Sequence, residues 1–121
     1  MKVMLKELLA HILKHETSNA SFELLADLQR YVAVNDVYNL SHSWKNYKYL
    51  TIGYGSVNNC GIADIPTISF KDICDNRPYG FILWNWNNQW ADLMYTSDTQ
   101  IKCIRISAAD TMFIHKIWGH N

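Results

Sequence analysis

His11 and His15 stand four residues apart in a segment with helical apolar spacing. That separation puts two imidazoles on one helix face, where they could share a metal ion. No third ligand is readable beside them, so two partly exposed helix histidines account for the pair, or a ring of histidines about an axis if the chain trimerises. Six aspartates, Asp64, Asp72, Asp75, Asp92, Asp98 and Asp110, supply carboxylates. Glycosidic cleavage needs two of them at a defined separation, which spacing alone does not establish. Asp72 and Asp75 lie in a turn region, where Asp commonly bonds its own backbone. Gly53-Tyr54-Gly55 ends a strand pattern and lacks the third glycine and following helix of a phosphate loop. No G-x-S-x-G, HExxH, P-loop or dinucleotide fingerprint is present. The three cysteines, Cys60, Cys74 and Cys103, are odd in number and widely spaced, which reads as free thiols in a reducing compartment rather than a disulfide frame or zinc site. The expectation is a protein without catalytic residues, cofactor or metal.

The strongest binding candidate is Tyr79–Tyr95, YGFILWNWNNQWADLMY. It holds three of the five tryptophans, Trp84, Trp86 and Trp90, around Asn87-Asn88. Asn tolerates positive φ, so the pair suits a two-residue hairpin turn. With that turn Trp86 faces Gln89, Asn85 faces Trp90 and Trp84 faces Ala91. Ile82, Trp84 and Trp86 then share a face with Ala91, Leu93 and Tyr95, and neither face is clearly polar. Burial is expected on both, either within the domain or at a subunit contact, with Trp84 mainly a core or interface packing residue. Trp86, Asn87, Asn88 and Trp90 at the tip remain the residues expected to touch a ligand, because indole stacks on sugar rings while amides bind hydroxyls.

The elements that must position this tip are mostly short strands. Tyr47–Tyr54 places Leu50 and Ile52 on one face and Tyr49 and Thr51 on the other. Gly55–Gly61 reads as a loop, Ile65–Phe70 as a strand with Pro66 near its start, and Lys71–Pro78 as a charged turn. Gln100–Ser107 alternates Ile101, Cys103 and Arg105 against Lys102, Ile104 and Ile106, and Thr111–Trp118 reads as the last strand, leaving His120 at a mobile end. Tyr31–Val34 and Val37–Leu40 are strand-like on either side of Asn35-Asp36, while Phe22–Leu28 fits a strand or a helix start. About eight such strands at ten-residue spacing predict a mainly β fold, an antiparallel β-sandwich or jelly-roll-like domain over residues 22–121. Before it, residues 1–16 predict a short helix with apolar residues at Met1, Met4, Leu5, Leu8, Leu9, Ile12 and Leu13. Met1, Leu5, Leu8 and Ile12 keep a four-three rhythm that suits a short coiled coil, and packing over the domain's own sheet fits equally well. Glu16–Ser21 is the linker between the two parts.

The 121 residues fit one domain, and 49% hydrophobic content is enough for a core. Eleven basic residues balance eleven acidic ones, so charge gives no reason to expect nucleic acid or an anionic membrane as partner. The N-terminal apolar stretch is interrupted by Lys2, Lys6, Glu7 and His11, which fits neither a signal peptide nor a membrane span and implies cytosolic synthesis.

In order, the chain carries the polar segment at Asn35–Ser41, WKNYKYLTIGYGS at Trp44–Ser56, IPTISF at Ile65–Phe70, the aromatic hairpin, YTSDTQIKCIRIS at Tyr95–Ser107 and IHKIWG at Ile114–Gly119. This series resembles the C-terminal β-sandwich modules of bacteriophage and prophage tail-fibre, receptor-binding and minor structural proteins. The resemblance implies a homotrimeric tip or baseplate module in the virion that contacts a host cell-surface glycan or protein, with Met1, Leu5, Leu8 and Ile12 at the trimer seam. A small cytoplasmic immunity or inhibitor-type protein that blocks a partner suits the same length, free thiols and charge balance.

Overall fold

The computed structural model describes residues 22–67, 79–85 and 87–121. The expected N-terminal helix, with Met1, Leu5, Leu8, Ile12 and both of its histidines, lies outside the described residues, as do Cys74 and Trp86.

Among the described residues, eight strands form two antiparallel four-stranded sheets. They are β1 (Glu23–Tyr31), β2 (Val37–Asn39), β3 (Tyr49–Gly55), β4 (Cys60–Pro66), β5 (Gly80–Trp84), β6 (Trp90–Ser97), β7 (Gln100–Ile106) and β8 (Phe113–His120). The first sheet runs β1-β8-β3-β4 and the second β2-β7-β6-β5. A single 3₁₀ turn, Trp44–Asn46, separates β2 from β3, with the Ser43 hydroxyl accepting from the Lys45 N–H as its cap.

Residues paired across neighbouring antiparallel strands point to the same face, so the register sorts the side chains into rows. In the first sheet Ala26, Ile117, Ile52 and Ala63 form one inward row, and Gly119, Leu50 and Ile65 another. In the second sheet Leu83 with Ala91, Phe81 with Leu93 and Cys103, and Tyr95 with Ile101 and Tyr38 point inward. Leu50, Ile52, Ile114, Ile117, Leu93, Ile101 and Cys103 are wholly buried in one shared core. Trp44 closes one side of that core: it stacks on Tyr95 with ring centroids 4.1 Å apart and donates its indole N–H to the Ser97 carbonyl at 3.0 Å. That bond gives a buried indole the partner it needs.

The open reading of Phe22–Leu28 resolves to a strand. Its run of consecutive apolar residues looks helical because a bulge between Leu24 and Ala26 lets both Leu25 and Ala26 turn inward. Val32–Val34 is not strand: Asn35 takes φ 73° in the bend, and the Asp36 N–H bonds back to the Ala33 carbonyl at 3.0 Å. The strand expected from Ile65 begins at Cys60, because Cys60 and Gly61 pair with Gly55 and Tyr54, and the loop shrinks to residues 56–59. Pro66 ends β4 on the sheet edge, where a missing N–H costs no ladder bond.

The alternation expected in Gln100–Ser107 breaks at Ile104. The register passes from Leu93–Cys103 to Asp92–Arg105, so Arg105 leaves the face of Ile101 and Cys103 and reaches solvent. β8 runs on to His120, which pairs with Tyr49 and packs its ring 4.5 Å from that of Phe22, so it is held in the sheet instead of forming a loose end.

Candidate functional site: an aromatic shelf at the β5–β6 turn

The expected two-residue turn at Asn87-Asn88 is replaced by a five-residue loop, Asn85–Gln89, closed by the Asn85 N–H to the Gln89 carbonyl at 2.9 Å. Asn85 organises it. Its side-chain oxygen accepts from the N–H groups of Asn87 at 3.0 Å and Gln89 at 3.1 Å. Its amide nitrogen donates to the Thr111 carbonyl at 3.1 Å, tying the loop to the segment before β8. Asn88 takes φ 59°, a conformation Asn tolerates.

The longer loop shifts the hairpin register by one residue. Trp84 pairs with Trp90 and Leu83 with Ala91, where the two-residue turn would pair Trp84 with Ala91. A slip of one residue exchanges the faces of one strand relative to the other. Phe81, Leu83, Ala91 and Leu93 are therefore the buried face, and the opposite face carries Ile82, Trp84, Trp90, Asp92 and Met94. Trp84, expected to be a packing residue, is 54% exposed. Within the single chain the opposite face runs from buried Asp92 through half-buried Ile82, Trp90 and Met94 to exposed Trp84.

Trp84 and Trp90 lie with ring centroids 6.4 Å apart and planes inclined at 50°. Each is held by its backbone. The Tyr54 hydroxyl, from the first sheet, donates to the Trp84 carbonyl at 2.6 Å, and partial burial pushes the Tyr54 phenol above its ordinary value. Trp90 exchanges bonds with Ser107, its N–H donating to the hydroxyl at 2.9 Å and its carbonyl accepting from the Ser107 N–H at 3.0 Å. The Ser107 hydroxyl in turn donates to the Gln89 side chain at 2.6 Å. Beside Trp90, Arg105 lies 5.5 Å from the ring centroid and donates to the buried Asp92 carboxylate through Nη2 at 2.9 Å and Nε at 3.3 Å. Asp92 is only 1% exposed whereas the Arg105 side chain is 63% exposed, so the carboxylate anchors the guanidinium against the indole.

The result is an apolar, two-indole shelf bordered by side-chain amides and one anchored cation. Such a surface offers stacking area at small entropic cost, with hydrogen-bonding groups at its edge. Of the residues expected at the tip, Trp90 belongs to the shelf, Asn87 and Asn88 are exposed in its loop, and Trp86 lies outside the described residues. Asn85 and Asp92, read from the sequence as polar groups near the tryptophans, lie in the loop and beneath Arg105, while Trp84 as a shelf residue, Arg105 and Ser107 were not expected. A reading of Asn85-x-Asn87-Asn88 as a side-chain-closed loop would have found Trp84, since it sets the register that brings it to Trp90; Arg105 depends on the separate bulge in β7.

Among the described residues, no group of three or more His, Cys, Asp or Glu side chains could hold a metal ion, and no helix is long and apolar enough to cross a membrane. Comparisons of the chain with protein-family models, curated proteins and solved structures find no match.

Proposed function

We propose that the chain is a non-enzymatic recognition module, a jelly-roll-like β-sandwich of the kind found at phage fibre or baseplate tips, which binds a host-surface glycan on the Trp84–Trp90 shelf. The strand order supports the fold part of this reading. The pairings of β1 with β8 and β2 with β7, one in each sheet, match the outer part of a rolled-up double hairpin, whereas β3–β4 and β5–β6 are plain hairpins, so the likeness to a jelly roll ends with those two pairs. The observation that carries the function is the indole pair of exposed Trp84 and half-buried Trp90, whose backbones are held by Tyr54 and Ser107, with Arg105, bridged to Asp92, beside the Trp90 ring. Among the described residues the Trp84 ring packs on Trp90 and leaves more than half of its surface to solvent, and an exposed aromatic of this size is the kind of residue that marks a contact surface. Asn87 and Asn88 supply amides within the same loop.

The test is a glycan array followed by titration of a binding sugar, read by tryptophan fluorescence. Trp84→Ala and Trp90→Ala should each weaken binding about tenfold or more while leaving the unfolding midpoint of Trp84→Ala near wild type. Sugar binding that survives in the double variant would remove the shelf as the site. Capture of a protein partner by the same residues, with no glycan signal, would favour the inhibitor-type alternative.

A further inference from the structure

The outer face of the first sheet, on the far side of the molecule's core from the shelf, carries an apolar groove set among charged residues. Its outward rows run Leu24, Trp118, Thr51 and Asp64, then Asp27, Lys116, Gly53 and Ile62. Ile62 is 75% exposed and Phe22 49%. Between them lies a groove of about 340 Å³ whose walls include Phe22, Cys60, Ile62 and Trp118, with Thr51 and Lys116 at its polar side. Its floor depends on Gly53, where a Cβ would come within 2.9 Å of the Cys60 sulfur. The polar groups around it bond within the sheet: His115 Nε2 donates to the Ser56 carbonyl at 2.8 Å, and Asp64 accepts from the Thr51 hydroxyl and lies 3.4 Å from His120. What the groove offers is mainly hydrocarbon from Phe22, Ile62 and Trp118, and an exposed apolar groove of that kind suits a cover.

We propose that the cover is the chain's own N-terminal segment, its apolar stripe of Leu5, Leu8, Leu9 and Ile12 lying along the groove. Chain continuity selects this occupant. Twenty-one residues precede Phe22, and Phe22 itself lines the groove, so the segment leaves the sheet at the groove's rim. The polar stretch Glu16–Ser21 reaches up to about 20 Å when extended, enough to turn the chain back over the sheet. Residues 1–15 as a helix measure about 22 Å, close to the roughly 23 Å length of a seven-residue strand such as β3. A helix of that length is marginal alone, so it needs a surface. A tether of six residues supplies its own sheet at a millimolar effective concentration, which a separate copy would have to match.

Cys60, exposed on the groove wall, reports the cover. In the full chain carrying Cys74→Ser, Cys60 should react with a soluble maleimide at least tenfold more slowly than in the same chain with Leu5→Asp and Ile12→Asp, at equal far-UV circular dichroism. Light scattering should give a monomer at every concentration. In a second variant, Leu8→Cys with Cys74→Ser, a short bismaleimide should join position 8 to Cys60 within one chain. Equal Cys60 rates with and without the aspartates would overturn the proposal. So would cross-links formed only between chains, or a stable trimer whose dissociation unmasks Cys60, since the stripe would then be meeting its copies.

Discussion

Asn85→Ala tests whether the loop, and through it the shelf, is organised as the structure shows. The substitution removes three side-chain hydrogen bonds, to the N–H groups of Asn87 and Gln89 and to the Thr111 carbonyl. A typical bond contributes about 0.5–1.5 kcal/mol net, and freed groups that water can reach recover part of that. The exposed Asn87 N–H falls in that class; Asn85, Gln89 and Thr111 are only half exposed. The expected cost is about 1–3 kcal/mol, which lowers the urea midpoint by roughly 1 M. Asn85→Asp keeps both acceptor bonds and turns the donor to Thr111 into a repulsion, so it should cost less than alanine yet loosen the tie to the segment before β8. Because Trp84 and Trp90 flank the loop, Asn85→Ala should also reduce the near-UV circular dichroism of the coupled indole pair, 6.4 Å apart, before global unfolding. A midpoint within experimental error of wild type together with an unchanged aromatic signal would refute the loop's role in setting the register.

Gly119→Ala probes the core edge. An added Cβ would sit 2.6–2.9 Å from three ring atoms of the buried Tyr47, whose hydroxyl donates to Glu23, so a loss of about 1–3 kcal/mol is expected in urea unfolding. The loss should largely vanish in a Tyr47→Ala background, and simple additivity there would refute the steric cause. The fold should also weaken in alkali. Burial, helped by the Glu23 bond, pushes the Tyr47 phenol up to about 12, burial pushes the Cys103 thiol up to about 11, and Tyr38 and Tyr95 rise by burial as well. Groups whose folded values are raised contribute fully below the unfolded values of 9.0 for Cys and 10.0 for Tyr, and that contribution is lost as pH climbs past them. The urea midpoint should therefore fall from about pH 9 upward, and a level midpoint to pH 11 would contradict this burial. Without denaturant, Cys103 should stay unreactive toward thiol reagents at neutral pH, and prompt labelling there would place it at the surface.

The class of fold was readable because period-two patterning survives in the chain's central stretches. Leu50 and Ile52 alternate with Tyr49 and Thr51 in sequence, and they bury as the pattern requires. The errors share one cause: a single residue added to one strand, invisible in composition. The bulge at Leu24–Ala26 makes a strand look helical, the one at Ile104 turns Arg105 outward, and the longer Asn85–Gln89 loop moves Trp84 onto Trp90. Strand limits were obscured differently. Cys60 and Gly61 have weak strand propensity, and only pairing with β3 recruits them.

The two shifts in the second sheet are coupled in their effect. Had the hairpin closed on Asn87-Asn88, Trp84 would have faced Ala91, and the two indoles would have pointed to opposite sides. Had β7 kept strict alternation, Arg105 would have followed Ile101 and Cys103 into the core, and Asp92 would have lost this partner. A buried carboxylate deprived of its cation is costly, and so is a buried guanidinium. The bulge at Ile104 and the loop at Asn85 therefore place Trp84, Trp90, Asp92 and Arg105 on one face together, and the surface that they form requires both. It follows that variants restoring either regular register should abolish the shelf even where the sheet still forms, which separates the binding surface from the stability of the fold beneath it.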